Sequence, residues 1–477
     1  MDYLDLTIAK ARELLTDKKI SSVELTKFYL ERIKKLDKNL NAFLTVSEKE
    51  AIDSAKIADE KIANGEKAAL LGIPIALKDI YMTKGIRTTA GSKVLENYIA
   101  QYDSTAVTKL KQAGAVIVGK LNCDAWAHGS SGENSDYGPA KNPWDTTVVP
   151  GGSSSGSAVS VSAGFTLASG GTDTGGSIRL PASFCNIVGL KPTYGRVSRY
   201  GIIAMASSLD TIGHFTKTIE DNALYLGVTA GKDLRDATTV PEKVPNYLAN
   251  IKKGVKGVKI GIPKEYFSKG LSEDIEKPIR KALKKYEELG AEIVEISLPY
   301  TSHAIACYYI IQPAEVSSNL ARFDGIRYGN TRETFGAEAK RRIMLGTFTL
   351  SAGYYDAYYK KAMQVRTKVI EDYNNAWEKV DVIVAPVSPT LPWKLGEKAD
   401  DPLAMYLSDV FTVTANIAGI PGLVVPVGFN KNPSAGSGQS LPVGMQILGP
   451  QFSEEKLYQV GYAYEKETEF WKEKPNL

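Results

Sequence analysis

Apolar positions fall into two alternating rhythms along this chain. The first sixty residues carry the helical one, in VELTKFYLERIKKLD and AIDSAKIADEKIANG, with apolar side chains returning every three or four positions. Each run is preceded by a serine with glutamate three residues later, Ser21 with Glu24 and Ser47 with Glu50, the pattern of a capping box. Short apolar runs then alternate with amphipathic segments: GIPIALKD, STAVTKLKQAG into AVIVGKLN, and GVKIGIP, SEDIEKPIRKALKKYEELG and AEIVEISLP. Helix, glycine and apolar strand is the repeating unit of an α/β sheet. Further strands are predicted at VDVIVAPVSP, GLVVPVGF and LPVGMQILGP, the last followed by a helix in SEEKLYQVGYAYEKETEFW. Strands from both ends of the chain feed one sheet, and no Pro/Ser-rich linker divides it, so a single interwoven domain is expected. DLRDATTVPEKVPNYLANIKK and NKNPSAGSGQS read as surface excursions.

The charge balance narrows the choice of partners. Among 477 residues, 58 lysines and arginines face 54 aspartates and glutamates, interleaved rather than in blocks. A nucleic-acid grip of the chain's own is therefore not expected, although RNA contact through a partner is compatible with it. Three scattered cysteines, Cys123, Cys185 and Cys307, suggest neither a disulfide framework nor a zinc site, and a reducing cytoplasm fits them. The acidic, helix-patterned start, MDYLDLTIAKARELL, does not read as an export signal. The long uncharged stretch Thr146 to Thr172 is Ser, Gly and Ala rather than Leu, Ile and Phe, which predicts buried protein interior and no membrane span.

Candidate chemistry begins at GGTDTGGSIRLP, Gly170 to Pro181. Four glycines around one acid, then Ser177 ahead of a helix start, suit either a tight turn or a backbone bared to hold an anion or oxyanion. Upstream, Gly152 to Gly156 satisfies the G-x-S-x-G pattern about Ser154, but little strand leads into it. Of the histidines His128, His214 and His303, only His303 is conceivable as a base. Lysine is the alternative activator, if burial holds it neutral. Lys78 follows the strand-like GIPIAL; it either points inward to serve that role or ends an edge strand in water.

GIPIALKD, PGGSSSGSAVSVSAG and GGTDTGGSIRLPASFCNIVGLKPTYGRVS together resemble the amidase signature family. That resemblance implies an α/β fold: one large α/β/α domain over residues 1–477, its mixed central sheet covered by helices and its signature core at about 70–200. It also implies a Ser-Ser-Lys triad of Ser177 as nucleophile, Ser153 as relay after a cis peptide bond, and Lys78 as neutral base. Ser154 becomes a backbone-bonding neighbour. Thr174, Gly175 and Gly176, with the Ser177 N–H, would form the oxyanion hole, while Asp173 and Arg179 would orient the loop or form a structural ion pair.

KPTYGRVSRYGIIAMASSLDTIGHF, SSNLARFDGIRYG, KRRIMLGTFTLSAGYYDAYY and DPLAMYLSDV look most like the glutamine-hydrolysing subunits of tRNA-dependent amidotransferases. The resemblance implies glutamine as substrate, with Arg342 on its α-carboxylate, Asp409 on its α-ammonium and Tyr308 lining the pocket or channel mouth. It further implies two partner subunits in a heterotrimer, one using ATP and magnesium to amidate a misacylated tRNA, and no cofactor or metal in this chain. The tyrosines of GYYDAYYKK either face a partner or pack along a helix. Three features depart from the pattern: only NTRET separates RFDGIRYG from FGAEAKRR, Ser155 stands in place of glycine, and His128 in place of methionine. A stand-alone amidase and a catalytically silent scaffold are the rival readings.

Overall fold

The computed structural model describes residues 3–268, 270–327, 329–431 and 440–477. Most of the predicted excursion NKNPSAGSGQS, and Tyr328 of the RFDGIRYG stretch, lie outside the described residues. Eleven strands form one sheet: β1 (Phe43–Val46), β2 (Pro74–Lys78), β3 (Val116–Leu121), β4 (Ala168–Asp173), β5 (Val188–Lys191), β6 (Thr211–Thr216), β7 (Lys259–Pro263), β8 (Glu292–Ile296), β9 (Val382–Pro386), β10 (Gly422–Lys431) and β11 (Ser440–Leu448). Their spatial order is β1-β3-β2-β4-β6-β5-β10-β11-β9-β7-β8. Parallel pairs flank an antiparallel centre: β3, β2 and β4 run together on one side and β9, β7 and β8 on the other, with antiparallel partners between them. The sheet is therefore mixed, as expected, and the last strands of the chain sit at its middle.

Helices α1 (Ile8–Thr16), α2 (Ser22–Leu40) and α3 (Glu48–Ala63) precede the central strands. The first capping box forms: Ser21 Oγ accepts from the Glu24 N–H at 3.0 Å and Glu24 Oε2 accepts from the Ser21 N–H at 2.8 Å, an arrangement that contributes about 1 kcal/mol to a helix. The second does not. Ser47 makes no side-chain cap bond because it still belongs to the sheet: its N–H donates to the Val118 carbonyl at 2.9 Å. Its ψ of 60° lies outside the extended range that brings an N-cap oxygen onto the helix donors.

Helix α4 (Thr105–Gln112) leads into β3, and α5 (Ser155–Ser162), α6 (Arg179–Phe184) and α7 (Ile219–Thr229) surround the central strands. Then come α8 (Glu273–Glu288), α9 (Thr301–Asn319), α10 (Ala337–Thr349), α11 (Lys361–Trp377), α12 (Pro402–Tyr406), α13 (Val413–Ala418) and α14 (Glu454–Thr468). Of the stretch Thr146 to Thr172 read as interior, Thr146 and Thr147 are exposed and nearly all of the rest is buried. Among the described residues no helix is long and apolar enough to cross a membrane, and the three cysteines are free and buried.

Four strands escaped the sequence pattern: β1, β4, β5 and β6. β4, ASGGTD, is buried at every residue, so no polar face alternates with an apolar one, and small residues give it little β signal. It is nevertheless the strand that delivers the glycine-rich loop.

Candidate active site

β2 and β4 run parallel with Leu77 opposite Gly170, so Lys78 and the end of β4 emerge at the same edge of the sheet. The carboxyl ends of parallel strands are where α/β sheets place their chemistry. Lys78 is fully buried, which decides against the solvent-facing alternative. Its Nζ lies 2.7 Å from Ser153 Oγ, 3.0 Å from Ser154 Oγ and 3.0 Å from Thr172 Oγ1. Burial lowers its pKa from 10.5 to about 8, although Cys123, Asp124, Asp173 and Asp210 pull the other way; the neutral amine is therefore accessible near neutral pH. The Ser154 hydroxyl donates to the Thr172 carbonyl at 3.0 Å, so it can only accept from Nζ. That commitment removes Ser154 as a nucleophile. Ser153 Oγ has no other described partner, and in the neutral state its proton is free to point at the amine lone pair.

The Gly152–Ser153 peptide is cis, as the resemblance implied. The Ser153 carbonyl accepts from the Asp124 N–H at 3.2 Å, and the Ser154 N–H donates to the Ser177 carbonyl at 3.2 Å. The second of these bonds holds the two serine segments side by side, and the first ties Ser153 to the loop after β3. Ser177 itself is 8% exposed, whereas Lys78 and Ser153 have no exposure at all, so the expected nucleophile is the member of the triad that reaches the outside. Its hydroxyl makes no described hydrogen bond, and only the Ser153–Lys78 half of the relay is drawn tight here.

The loop carrying Ser177 is clamped from behind. Asp173 Oδ1 and Oδ2 accept from Arg179 NH2 and Nε, both at 3.1 Å, with both residues fully buried. Arg179 also donates to Asn416 Oδ1 at 2.6 Å and Gln446 Oε1 at 2.9 Å, fastening the loop to α13 and β11. Burial alone would raise the Asp173 pKa, but the Arg179 charge and hydrogen bonds outweigh it and hold the carboxyl at about 2. The Gly176 N–H, expected among the oxyanion donors, is taken by Asp173 Oδ1 at 2.9 Å. The N–H groups of Thr174, Gly175 and Ser177 donate to no described group, so they are the donors left for an oxyanion. Glycine is required at both intervening positions: a Cβ on Gly175 would lie 2.7 Å from the Tyr308 ring, and one on Gly176, at φ +138°, would lie 2.4 Å from Thr412 Oγ1.

Arg342, on α10, and Asp409, in a short turn at Leu407–Asp409, come together across α9. Asp409 accepts from Ser130 Oγ at 2.8 and 2.9 Å and from the Tyr309 hydroxyl at 2.8 Å. Burial raises its pKa to about 6, and those two donors and Arg342 limit the rise. No cation pairs with it among the described residues. Arg342 Nε donates to Glu338 Oε1 and its NH1 to Gln312 Oε1, both at 2.7 Å, and its guanidinium carbon stands 5.3 Å from the Tyr309 ring and 5.4 Å from that of Tyr406. Tyr309 thus spans the two charges, bonding one and flanking the other. Its neighbour Tyr308, the residue singled out in the sequence, covers Gly175 and has no described hydroxyl partner.

Sequence reasoning missed Ser130, Tyr309, Gln312 and Glu338. Ser130 ties the two halves together, because its carbonyl accepts from the Gly152 N–H at 2.8 Å while its hydroxyl holds Asp409. The adjacent serines of HGSSGENS were the available signal. His303 is exposed near the start of α9, its ring tilted against that of Tyr300, and touches none of this. His128 is buried, and burial followed by the Arg342 charge holds it well below its ordinary pKa, so it is a packed neutral imidazole as expected. Ser155 is buried and its hydroxyl has no partner among the described residues. Tyr354, Tyr355 and Tyr358 are 40%, 46% and 45% exposed, so they do not pack into the core.

A family model described as Amidase matches residues 24–458. The A subunit of Glutamyl-tRNA(Gln) amidotransferase from Desulfatibacillum aliphaticivorans is 52% identical over 488 residues, covering 99% of each chain. The solved structure of the corresponding A subunit from Thermotoga maritima superposes with a TM-score of 0.83 at 44% identity, covering 98% of this chain and 95% of that one. A bacterial aryl acylamidase of the amidase signature family gives a TM-score of 0.86 at 25% identity, covering 98% of this chain and 97% of its own. Backbone superposition does not separate the two kinds of relative; sequence identity does.

Proposed function

The chain belongs to the amidase family, and on that premise we propose that it is the glutamine-hydrolysing subunit of a tRNA-dependent amidotransferase, supplying ammonia for amidation of Glu-tRNA(Gln), Asp-tRNA(Asn) or both. The observation that carries this reading is the fully buried amine of Lys78, 2.7 Å from Ser153 Oγ, at the foot of a loop on which Ser177 keeps a small exposure of 8%. Ser177 Oγ attacks the side-chain amide carbon of glutamine. Its proton passes to Ser153 Oγ as the Ser153 proton moves to Lys78 Nζ. The oxyanion is held by the N–H groups of Thr174, Gly175 and Ser177. The proton then returns through Ser153 to the leaving nitrogen, ammonia departs, and water releases glutamate from the γ-glutamyl ester on Ser177.

The buried acid and base on either side of α9, Asp409 and Arg342, support an amino-acid substrate over a simple amide. Asp409, buried without a cation, suits an α-ammonium, and Arg342 suits an α-carboxylate. In this reading two further subunits complete a cytoplasmic heterotrimer, and one of them uses ATP and magnesium and contacts the tRNA. The exposed tyrosines of the segment following α10 are compatible with a partner face.

The test is Ser177→Ala in the assembled complex. Glutamine-dependent amidation is expected to fall by about 10⁴-fold or more, while amidation driven by added ammonia keeps its rate. Undiminished glutamine-dependent amidation would establish the scaffold reading instead. Brisk hydrolysis of unrelated amides by the isolated chain, indifferent to partners, would favour a stand-alone amidase.

A further inference from the structure

Gln312 lies on α9, one turn beyond Tyr308 and Tyr309 along the same helix, and is fully buried. Its Oε1 accepts from Arg342 NH1 at 2.7 Å, which fixes the amide orientation: the oxygen faces the guanidinium and Nε2 is left over. That Nε2 has no partner among the described residues. A buried amide with two unused donors is costly to maintain, and one of its neighbours is the side chain expected to receive a carboxylate. Arg342 has spare capacity as well: of its five N–H bonds, one goes to Glu338 and one to Gln312.

No described side chain accepts from these remaining donors. Glu338 already serves Arg342, with Arg341 paired to its other oxygen, and it receives the Tyr406 hydroxyl at 3.3 Å. Asp409 is occupied by Ser130 and Tyr309. His128, on the loop that also carries Ser130, is buried in the field of Arg342 with neither ring nitrogen bonded. What is left over is a set of N–H donors, on Gln312 Nε2 and on Arg342, that an acceptor group on the ligand would satisfy.

Resting on the glutaminase reading above, we propose that Gln312 is a second donor to the substrate α-carboxylate beside Arg342, and that this pair selects α-amino-acid amides over amides lacking the carboxylate. Gln312 holds the guanidinium through Oε1 and offers Nε2 alongside the remaining Arg342 N–H groups, so the carboxylate is received by two side chains on two packed helices. No bond is made or broken at Gln312; it acts in binding and positioning.

The experiment compares L-glutamine with 4-aminobutanamide, which keeps the reacting amide and the amine but lacks the carboxylate. Calorimetry in the Ser177→Ala background measures binding without turnover in the assembled complex. Gln312→Glu preserves the acceptor for Arg342 while replacing the donor with a charge, and Gln312→Met removes both functions at similar volume. Both variants are expected to weaken glutamine binding by about tenfold to a hundredfold, as for loss of a hydrogen bond to a charged group, and to leave 4-aminobutanamide binding within about twofold. With Ser177 restored, the effect should appear in KM for glutamine and hardly in kcat. Equal losses for the two ligands, or no loss for glutamine, would overturn the assignment. Failure of the unsubstituted-pocket protein to bind glutamine at all would instead strike the glutaminase reading, so the two failures are distinguishable.

Discussion

Behind the nucleophile loop, the Asp173 carboxylate is saturated by Arg179, Asn416 and backbone N–H groups. Around Arg342, by contrast, Gln312 Nε2 and both nitrogens of His128 have no described partner, and Asp409 is a buried acid held only by neutral hydroxyls. Both regions bury charge, but only the Asp173 clamp satisfies its charged group internally, leaving the Thr174, Gly175 and Ser177 N–H groups of the loop it holds as the open donors. A closed network stays rigid with or without ligand, which suits groups whose positions set a reaction path. A network with spare valences stores unsatisfied polarity that the right ligand relieves, which suits recognition. The contrast predicts that damage to the first region falls on turnover and damage to the second on substrate affinity.

Lys78→Met tests the first region most severely. Removing the buried amine is expected to lower kcat by about 10⁴-fold, with glutamine affinity, measured by calorimetry, changed little. A comparable loss of affinity would show that the two regions are not separable. Asp409→Asn follows in size: losing the charge opposite the α-ammonium should raise KM for glutamine by about 10²-fold and spare kcat. The same substitution should barely change hydrolysis of glutaramate, which lacks the amine.

The pH dependence is the subtlest discriminator, because each region titrates in its own range. Lys78, its pKa lowered to about 8 by burial, must be neutral to act, so kcat should rise with pH and level off above about 8. Asp409, its pKa raised to about 6 by burial, must be ionised to hold an ammonium. Protonation as pH falls through about 6 should therefore raise KM. Steady-state profiles of kcat and KM would check the split, and a single pKa governing both would erase the comparison.

What the sequence carried by itself was the local setting of the candidate chemistry, Lys78 at the end of an apolar strand and the bare backbone before Ser177; the choice of Ser153 over Ser154 came from the resemblance to the amidase signature family. Local sequence also carried the helices with a visible amphipathic rhythm, such as α2, α3 and α8, the Ser21 cap and the strands with a visible apolar rhythm, but not α9, α10 or α11. It did not carry β4, whose small residues are buried on both faces, nor the failed cap at Ser47, where pairing with β3 overrides the local signal. Only the tertiary structure decided that Lys78 is dry, because burial depends on the parallel register of β2 with β4 and on the helix that follows Ser154. Only it showed that the Gly176 N–H belongs to Asp173, that Tyr309 spans Arg342 and Asp409, and that Gln312 keeps a donor unused. Those facts join residues up to hundreds of positions apart, and free valence is a property of a packed neighbourhood, which no single stretch of chain encodes.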